Sequence, residues 1–284
     1  MKASIIIPSL ISNYRLLQLC LQSLDKQSLV KKDFEVILVL NAGYKPENFE
    51  KLKINLKNFK LIKLDKNLGF AGAVNTGFRK AKGEYLIALN DDVIVDKNWL
   101  KELVKVAQDK KEKADMVASK IFKISKEQAK LFVSSKVWQG NLSSTDNRLK
   151  IDSLGFKFLM KGKAIPIREI GQNPFGPDAA AALYRKKMLD DIGMFDESFF
   201  AYLEDVDLAY RARKKSYKCV LAENALAYHV KHATSKKMGN FKAKQDMINW
   251  WRLILKNYNS DDWRKYGFKI LIERLKNFKG WLIN

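Results

Sequence analysis

The sequence predicts an α/β fold: a mostly parallel central sheet flanked by helices, with a helical extension at the C-terminus. Three observations predict it. Through residue 122, short apolar runs alternate with stretches of helical period, the rhythm of β-α-β units. One run, Phe34–Leu40 (FEVILVL), is apolar almost throughout, as a strand covered on both faces is. The last 54 residues then change composition, with 13 Lys and Arg against 4 Asp and Glu and four of the six tryptophans.

The elements follow in order. Ser4–Pro8 reads as a first strand. Tyr14–Leu24 is a helix, with apolar residues at 16, 17, 20, 21 and 24. Phe59–Leu64 follows Phe34–Leu40 as a third strand. Phe70–Lys82 is a helix rich in small residues. Glu84–Leu89 is a fourth strand, ending directly on Asn90, Asp91 and Asp92. Asp96 is placed to cap a helix that runs to Ala107. Met116–Phe122 is a further strand. Residues 123–177 are less regular, with strand-like pieces at Ala129–Val133 and Gly155–Met160, and read as the far side of the sheet plus a site rim. A small-residue run (Asp178–Ala182), a short helix (Lys186–Ile192), a helix from Glu204 to Lys215 and strands at Cys219–Ala222 and Ala225–Val230 complete the unit.

With 284 residues, 47% hydrophobic and 11% aromatic, the chain can bury a sizeable core, which excludes a disordered polycation. Cys20 and Cys219 supply neither a disulfide framework nor a zinc cluster, so a reducing, cytoplasmic setting is expected. Apolar runs stop at five or six residues, far short of the roughly 18 that span a bilayer. The start, MKASIIIPSL, reads as a strand. The formal net charge of +22 must face nucleic acid, an anionic membrane or an anionic substrate, or be a solvated Lys-rich surface. No zinc finger, RNP-like strand or basic helix-turn-helix pattern supports nucleic acid. GxxxxGK[ST], GxSxG, HExxH and CxxC are all absent from the sequence.

Four places can carry chemistry, and each also has a plain structural explanation. Asn90-Asp91-Asp92 closes a central strand, where ligands of open α/β sheets bind, and its carboxylates suit a hard divalent cation. Asn and Asp equally favour turns. Glu204, Asp205 and Asp207 open a helix, where acids stabilise the dipole. Their crowding also shifts pKa values as a general base requires. Spacing puts Asp205 on the face of Leu208, Ala209 and Ala212. His229 ends an apolar strand and is either a core residue or a ligand to the acids; His232 lies just beyond. The glycines of Asn67–Gly77 (NLGFAGAVNTG) allow close helix–sheet packing or contact with phosphate.

Taken in order, IIIPS (5–9), LLQLCLQSL (16–24), DFEVILVLNAG (33–43), NLGFAGAVNTGFRKAKGEYLIALNDDV (67–93) and the segment from Gly176 to Val230 resemble the family 2 glycosyltransferases of GT-A fold. The branch most similar is the bacterial rhamnosyltransferase-like enzymes of polysaccharide assembly. The resemblance runs from residue 3 to about 235. It implies inverting transfer of a sugar, rhamnose or another hexose, from a nucleotide diphosphate donor (dTDP, UDP or GDP) to a saccharide or polyprenyl-diphosphate-linked acceptor. By position, Asp92 is the metal-binding acid, for Mg²⁺ or Mn²⁺, with Asn90 and Asp91 as neighbours. Asp205 is the catalytic base with Glu204 beside it, and His229 completes the metal or diphosphate site. Pro8, Ser9, Asn41, Asn67, Gly69 and Gly72 fall in nucleotide-site loops, and Gly176–Ala182 borders the acceptor. Two positions depart from the family pattern: Leu40 stands where the second strand usually carries Asp, and Asn90 replaces the first acid of the DxD-type motif. These departures keep a catalytically weak partner subunit open as an alternative, beside a nucleic-acid-binding protein.

The resemblance divides the chain into a catalytic domain, 1–235, with a nucleotide-sugar half to about 122 and an acceptor half after it, and a basic tail, 236–284. Two tail stretches carry helical stripes. Apolar residues fall at 247, 248, 250, 251, 254 and 255, then at Phe268, Leu271, Ile272, Leu275, Phe278, Trp281 and Leu282 beside Lys269, Arg274, Lys276 and Lys279. Such helices suit an anionic membrane surface, the inner face of the plasma membrane here, or pack on the domain, or join a homodimer.

Overall fold

Ala3–Ser9 (β1) is the hub of the sheet, pairing in parallel with Phe34–Leu40 (β2) on one side and Tyr85–Leu89 (β4) on the other. Phe59–Lys63 (β3) extends the parallel half beyond β2. The computed structural model describes residues 1–42, 46–129, 149–230 and 241–283, with side chains placed through residue 278. Beyond β4 the direction reverses. Ala181–Arg185 (β10) runs antiparallel to β4 and to Met116–Lys123 (β6). β6 is parallel to Cys219–His229 (β11), and Val93–Val95 (β5) pairs antiparallel with β11. Lys150–Ser153 (β7) pairs with β6, and Phe156–Leu159 (β8) with Lys163–Pro166 (β9) forms a separate hairpin. Among the described residues the main sheet runs β3-β2-β1-β4-β10-β6-β11-β5, with β7 branching from β6.

Helices cover both faces. Tyr14–Asp25 (α1) and Trp99–Gln108 (α4) share one core with β1, β2 and β4, while the five-residue helix Pro46–Glu50 (α2) only rests the half-buried Phe49 on it. Gly69–Lys80 (α3), Lys186–Ile192 (α5) and Glu204–Lys214 (α6) build the opposite core. Gly77 of α3 faces β1 closely: a Cβ there would lie 2.4 Å from Ile6 Cγ2. At that glycine the packing explanation holds.

Several expectations need correction. Helix α4 begins at Trp99, not Asp96, because Val93–Val95 is drawn into the sheet. Asp96 instead accepts from the Asn98 N–H at 2.9 Å. Ala129 is helical, within 126–129, and the rest of the strand expected at Ala129–Val133 lies outside the described residues. The two strands expected near 219–230 are one, broken by an irregularity between Ala222 and Leu226. The small-residue run after Gly176 leads into β10.

The tail forms Phe241–Asn257 (α7) and Ser260–Ile283 (α8). Trp250, Leu253 and Ile254 of α7 lie in the same core as α3 and α6, so the tail's first helix is integral to the α/β unit. Arg274, expected on the polar face of α8, is only 4% exposed. Its guanidinium stacks over the Trp250 ring at 4.8 Å and donates to the Gly162 carbonyl. Glu273 beside it pairs with Lys161 and Lys163 near the β8–β9 turn. The opposite face of α8 leaves Phe268, Leu271, Ile272 and Leu275 exposed.

Candidate active site

The carboxyl ends of β1, β2 and β4 open at one edge of the sheet, where α/β folds bind ligands. A cleft of about 660 Å³ lies there. Pro8, Ser9, Asn41, Asn67, Gly69, Asn90, Asp91, Asp92, Glu204, Asp205 and His229 all line it. Gly72 does not. It lies inside α3, where a Cβ would sit 2.7 Å from Leu68 Cβ, so its small size serves packing. His232 lies outside the described residues.

The first group of side chains forms the floor. Ser9 Oγ donates to Asp91 Oδ2 at 2.5 Å. Nε2 of His229, at the end of β11, stands 3.3 Å from Asp92 Oδ1, and Nδ1 of the same ring stands 3.7 Å from Asp152 Oδ2 of β7. Burial, and then the neighbouring Asp92 charge, push Asp91 up to about 7. Burial alone would lower His229, but the Asp152 and Asp92 carboxylates outweigh it and raise the imidazole to about 10.

Asn41 acts as a staple. Its Nδ2 donates to the Gly69 carbonyl at 3.0 Å and its Oδ1 accepts from the Leu68 N–H at 2.9 Å. Leu40, at the departure from the family pattern, is fully buried in the core. Gly69 has φ +69, and a Cβ there would meet the Phe200 carbonyl oxygen at 2.2 Å, so only glycine fits.

The second group hangs from the far wall. Asp205 Oδ2 accepts from the Ala179 N–H at 3.3 Å and Oδ1 from the Val206 N–H at 2.8 Å. Burial, and then the Asp178 carboxylate, raise Asp205 to about 7 against the pull of those N–H groups. Glu204 is 6% exposed and its Oε2 makes no hydrogen bond. Burial and the Asp205 charge hold its carboxyl well above the usual range. Asp207 points away. Fully buried, it accepts from Arg211, Lys256 and Asn257, tying α6 to α7.

The backbone that delivers this wall is strained. Phe200, Tyr202 and Leu203 all have positive φ, at 60°, 71° and 68°. Each left-handed non-glycine residue costs roughly 1 kcal/mol. Phe200 is the centre of a γ-turn, with the Ala201 N–H donating to the Phe199 carbonyl at 2.6 Å.

The lining is acidic although the chain is strongly basic. Among the described lining residues, six carboxylates (Asp91, Asp92, Asp178, Glu204, Asp205, Asp246) face one lysine, Lys242, and His229. An anionic ligand in such a lining would be helped by a counter-cation. The donor set fits one. A carboxylate and an imidazole 3.3 Å apart match adjacent ligands of a divalent ion. Among the described residues no group of three or more His, Cys, Asp or Glu is arranged to hold a metal by itself. A cation held by this pair would draw the rest of its coordination shell from oxygens of a bound ligand or water.

A sequence model of the family described as glycosyl transferase family 2 matches residues 4–193. The chain belongs to this family. Over 203 residues this family 2 chain is 28% identical to the O-antigen biosynthesis protein RfbC of Myxococcus xanthus, a match covering 69% of the chain. It spans only 15% of that relative's length. Solved structures share its fold. S. aureus TarS 1–349 superposes with TM-score 0.55 at 20% identity, over 98% of this chain and 71% of that one. The mannosyltransferase PcManGT of Pyrobaculum calidifontis, in complex with GDP-Man and Mn²⁺, gives 0.62 at 14% identity, over 99% and 74%. GalNAc-T7, with UDP, GalNAc and Mn²⁺, gives 0.62 at 16% identity, over 81% and 44%. The fold of the family 2 chain is thus the GT-A arrangement expected from its motifs.

Sequence reasoning missed Asp152, Asp178, Phe200, Tyr202, Lys242 and Asp246 as site residues. Asp178 sits within a segment singled out as bordering the acceptor. The others depend on strand pairing and helix docking, for which the sequence carries no local mark.

Proposed function

We propose that the cleft transfers a sugar, with inversion, from a nucleotide diphosphate donor to a hydroxyl of a saccharide or polyprenyl-diphosphate-linked saccharide, with Asp205 as general base. The observation that carries this reading is one cleft with two separate acidic groups. Asp91, Asp92 and His229 stand at the strand ends; Asp205, raised to about 7 by burial, stands on the opposite wall. A base near neutral pKa is matched to removing a hydroxyl proton at physiological pH. The complexes of PcManGT with GDP-Man and Mn²⁺ and of TarS 1–349 with UDP-GlcNAc support a nucleotide-sugar donor; dTDP, UDP and GDP sugars are the candidates.

In this reading the acceptor O–H gives its proton to Asp205 as its oxygen attacks the anomeric carbon. The bond from that carbon to the diphosphate breaks on the opposite face, and its electron pair leaves with the diphosphate. Asp92 and His229 would hold Mg²⁺ or Mn²⁺, which neutralises charge on the diphosphate. Asn41 and Gly69 shape the nucleotide loop, and Ser9 orients Asp91. General-base assistance is worth about 10²–10⁴-fold. A thermal-shift screen with UDP, dTDP and GDP, each with and without Mn²⁺, tests the donor class: one nucleotide with Mn²⁺ is expected to raise the Tm, and no response to any would overturn the reading.

A peripheral position at an anionic membrane belongs to the same proposal. The exposed stripe Phe268, Leu271, Ile272 and Leu275 of α8 lies beside exposed Lys265, Lys269 and Lys276. Each lysine is worth about 1 kcal/mol near anionic lipid. No helix among the described residues is long and apolar enough to cross a membrane.

A further inference from the structure

The residues that touch the cleft leave one question open: what keeps the strained segment before α6 in place. Phe200, Tyr202 and Leu203 all have positive φ, and Leu203 is the residue on which α6 starts. Asp205 stands two residues further on. Relaxing any one of the three would redirect the first turn of α6 and move the Asp205 carboxylate. A strained segment persists only where its surroundings over-determine it.

The surroundings converge on one side chain outside the cleft. Asn249 of α7 is completely buried. Its Nδ2 lies 2.9 Å from the Phe199 carbonyl, 2.9 Å from the Ala201 carbonyl and 2.8 Å from the Tyr202 carbonyl. Two amide protons are thus shared among three carbonyls that the strained backbone turns toward the same point. The orientation of the amide is set independently, because Arg252 Nη1 donates to Asn249 Oδ1 at 2.6 Å. On the opposite side the Ala71 N–H of α3 donates to the Phe200 carbonyl at 3.2 Å. The segment is therefore gripped between the donor-side helix and the tail helix.

We infer that Asn249 is a positioning residue for catalysis: its amide holds the 199–203 segment in the conformation that aims Asp205 at the acceptor hydroxyl. It touches no substrate and acts through the backbone. The inference rests on the assignment of Asp205 as base, and it gives one side chain of α7, Asn249, a positioning role.

The test is steady-state kinetics of nucleotide release from UDP, dTDP and GDP sugars with a panel of saccharide acceptors, on the full chain with Mn²⁺. Asn249→Asp keeps the shape and removes both N–H donors. A buried carboxyl there keeps at most one O–H donor for three carbonyls, so the variant is expected to lower kcat by about 10-fold or more, with donor KM within twofold and the Tm rise caused by nucleotide and Mn²⁺ retained. Arg252→Met, which frees the amide to rotate, is expected to lower kcat about fivefold and carries the test if Asn249→Asp does not fold. Leu253→Ala, at a fully buried position one turn along α7, is the control for lost stability alone and is expected to leave kcat within twofold. A folded Asn249→Asp with unchanged kcat overturns the inference. So does an equal loss of kcat in Leu253→Ala, which reduces the clamp to ordinary packing. Asp205→Asn measured alongside separates the two levels. If it turns over normally, the base assignment fails; if it is slow while Asn249→Asp is not, only the clamp fails.

Discussion

His229 Nε2 stands 3.3 Å from Asp92 Oδ1, joining the end of β11 to the end of β4 across the floor of the cleft. These strands are not neighbours in the sheet; β10 and β6 lie between them. The contact exists because Asp92 immediately precedes β5, which pairs antiparallel with β11 and sets His229 opposite Val93; the Val230 N–H, donating to the Asp92 carbonyl at 3.0 Å, continues that pairing. If the pair serves a divalent cation, Asp92→Ala removes the Tm rise that nucleotide produces only with Mn²⁺. The Tm without ligands is expected to change by a few degrees at most. A wild-type nucleotide response in that variant would take Asp92 out of the role.

Asp205 makes the fold less stable above about pH 4. Its pKa is raised to about 7, against about 3.9 in an unfolded chain. Below pH 4 both states are protonated and the group costs nothing. Between pH 4 and 7 the unfolded state alone ionises, so the cost grows, and it is constant above 7. Asp205→Asn, measured without metal, is therefore expected to unfold at higher urea than wild type at pH 8 and at equal urea near pH 4. A variant less stable than wild type at pH 8 would show that the carboxylate is held ionised by partners.

Asp207 is the structural acid of its helix. It is fully buried between Arg211, Lys256 and Asn257. Asp207→Ala leaves those partners facing an apolar site and is expected to cost about 3 kcal/mol in urea unfolding, the low end for breaking a buried pair. Arg211 and Lys256 keep part of their solvent, which limits the loss. A cost under about 0.5 kcal/mol, as for a surface position, would contradict the assignment.

Phe268 is 78% exposed and Leu275 58%, on one stripe of α8. The double substitution Phe268→Glu with Leu275→Glu is expected to abolish sedimentation with anionic vesicles while leaving the Tm within a few degrees. Binding equal to wild type, or wild-type binding to neutral vesicles, would exclude this stripe as an electrostatically assisted membrane contact.

Much of the fold could be read from the sequence because strands covered on both faces leave continuous apolar runs, as in β1, β2 and β4. Strand β10 was hidden because alanines carry no strand signal, and β5 because three residues make no period. The acids at 91, 92 and 205 were legible by position within the motifs. Asp152 was not, since only the β6–β7 pairing brings it to His229. Nor could Glu204, Asp205 and Asp207 be sorted by spacing alone; the docking of α7 decides which one is structural. Phe200, Tyr202 and Leu203 are residue types that avoid positive φ, so nothing local marked the strain. The net charge of +22 pointed away from the site, which is acidic. The positive excess lies elsewhere, some of it along α8.

In the proposed transfer Asp205 removes the acceptor proton. The most direct measurement is nucleotide release from UDP, dTDP and GDP sugars in the presence of Mn²⁺ and a panel of saccharide acceptors, comparing wild type with Asp205→Asn. A base at Asp205 predicts acceptor-dependent turnover in wild type that falls by about 10²–10⁴-fold in Asp205→Asn, with the nucleotide-induced Tm rise intact. Turnover in Asp205→Asn equal to wild type would contradict it.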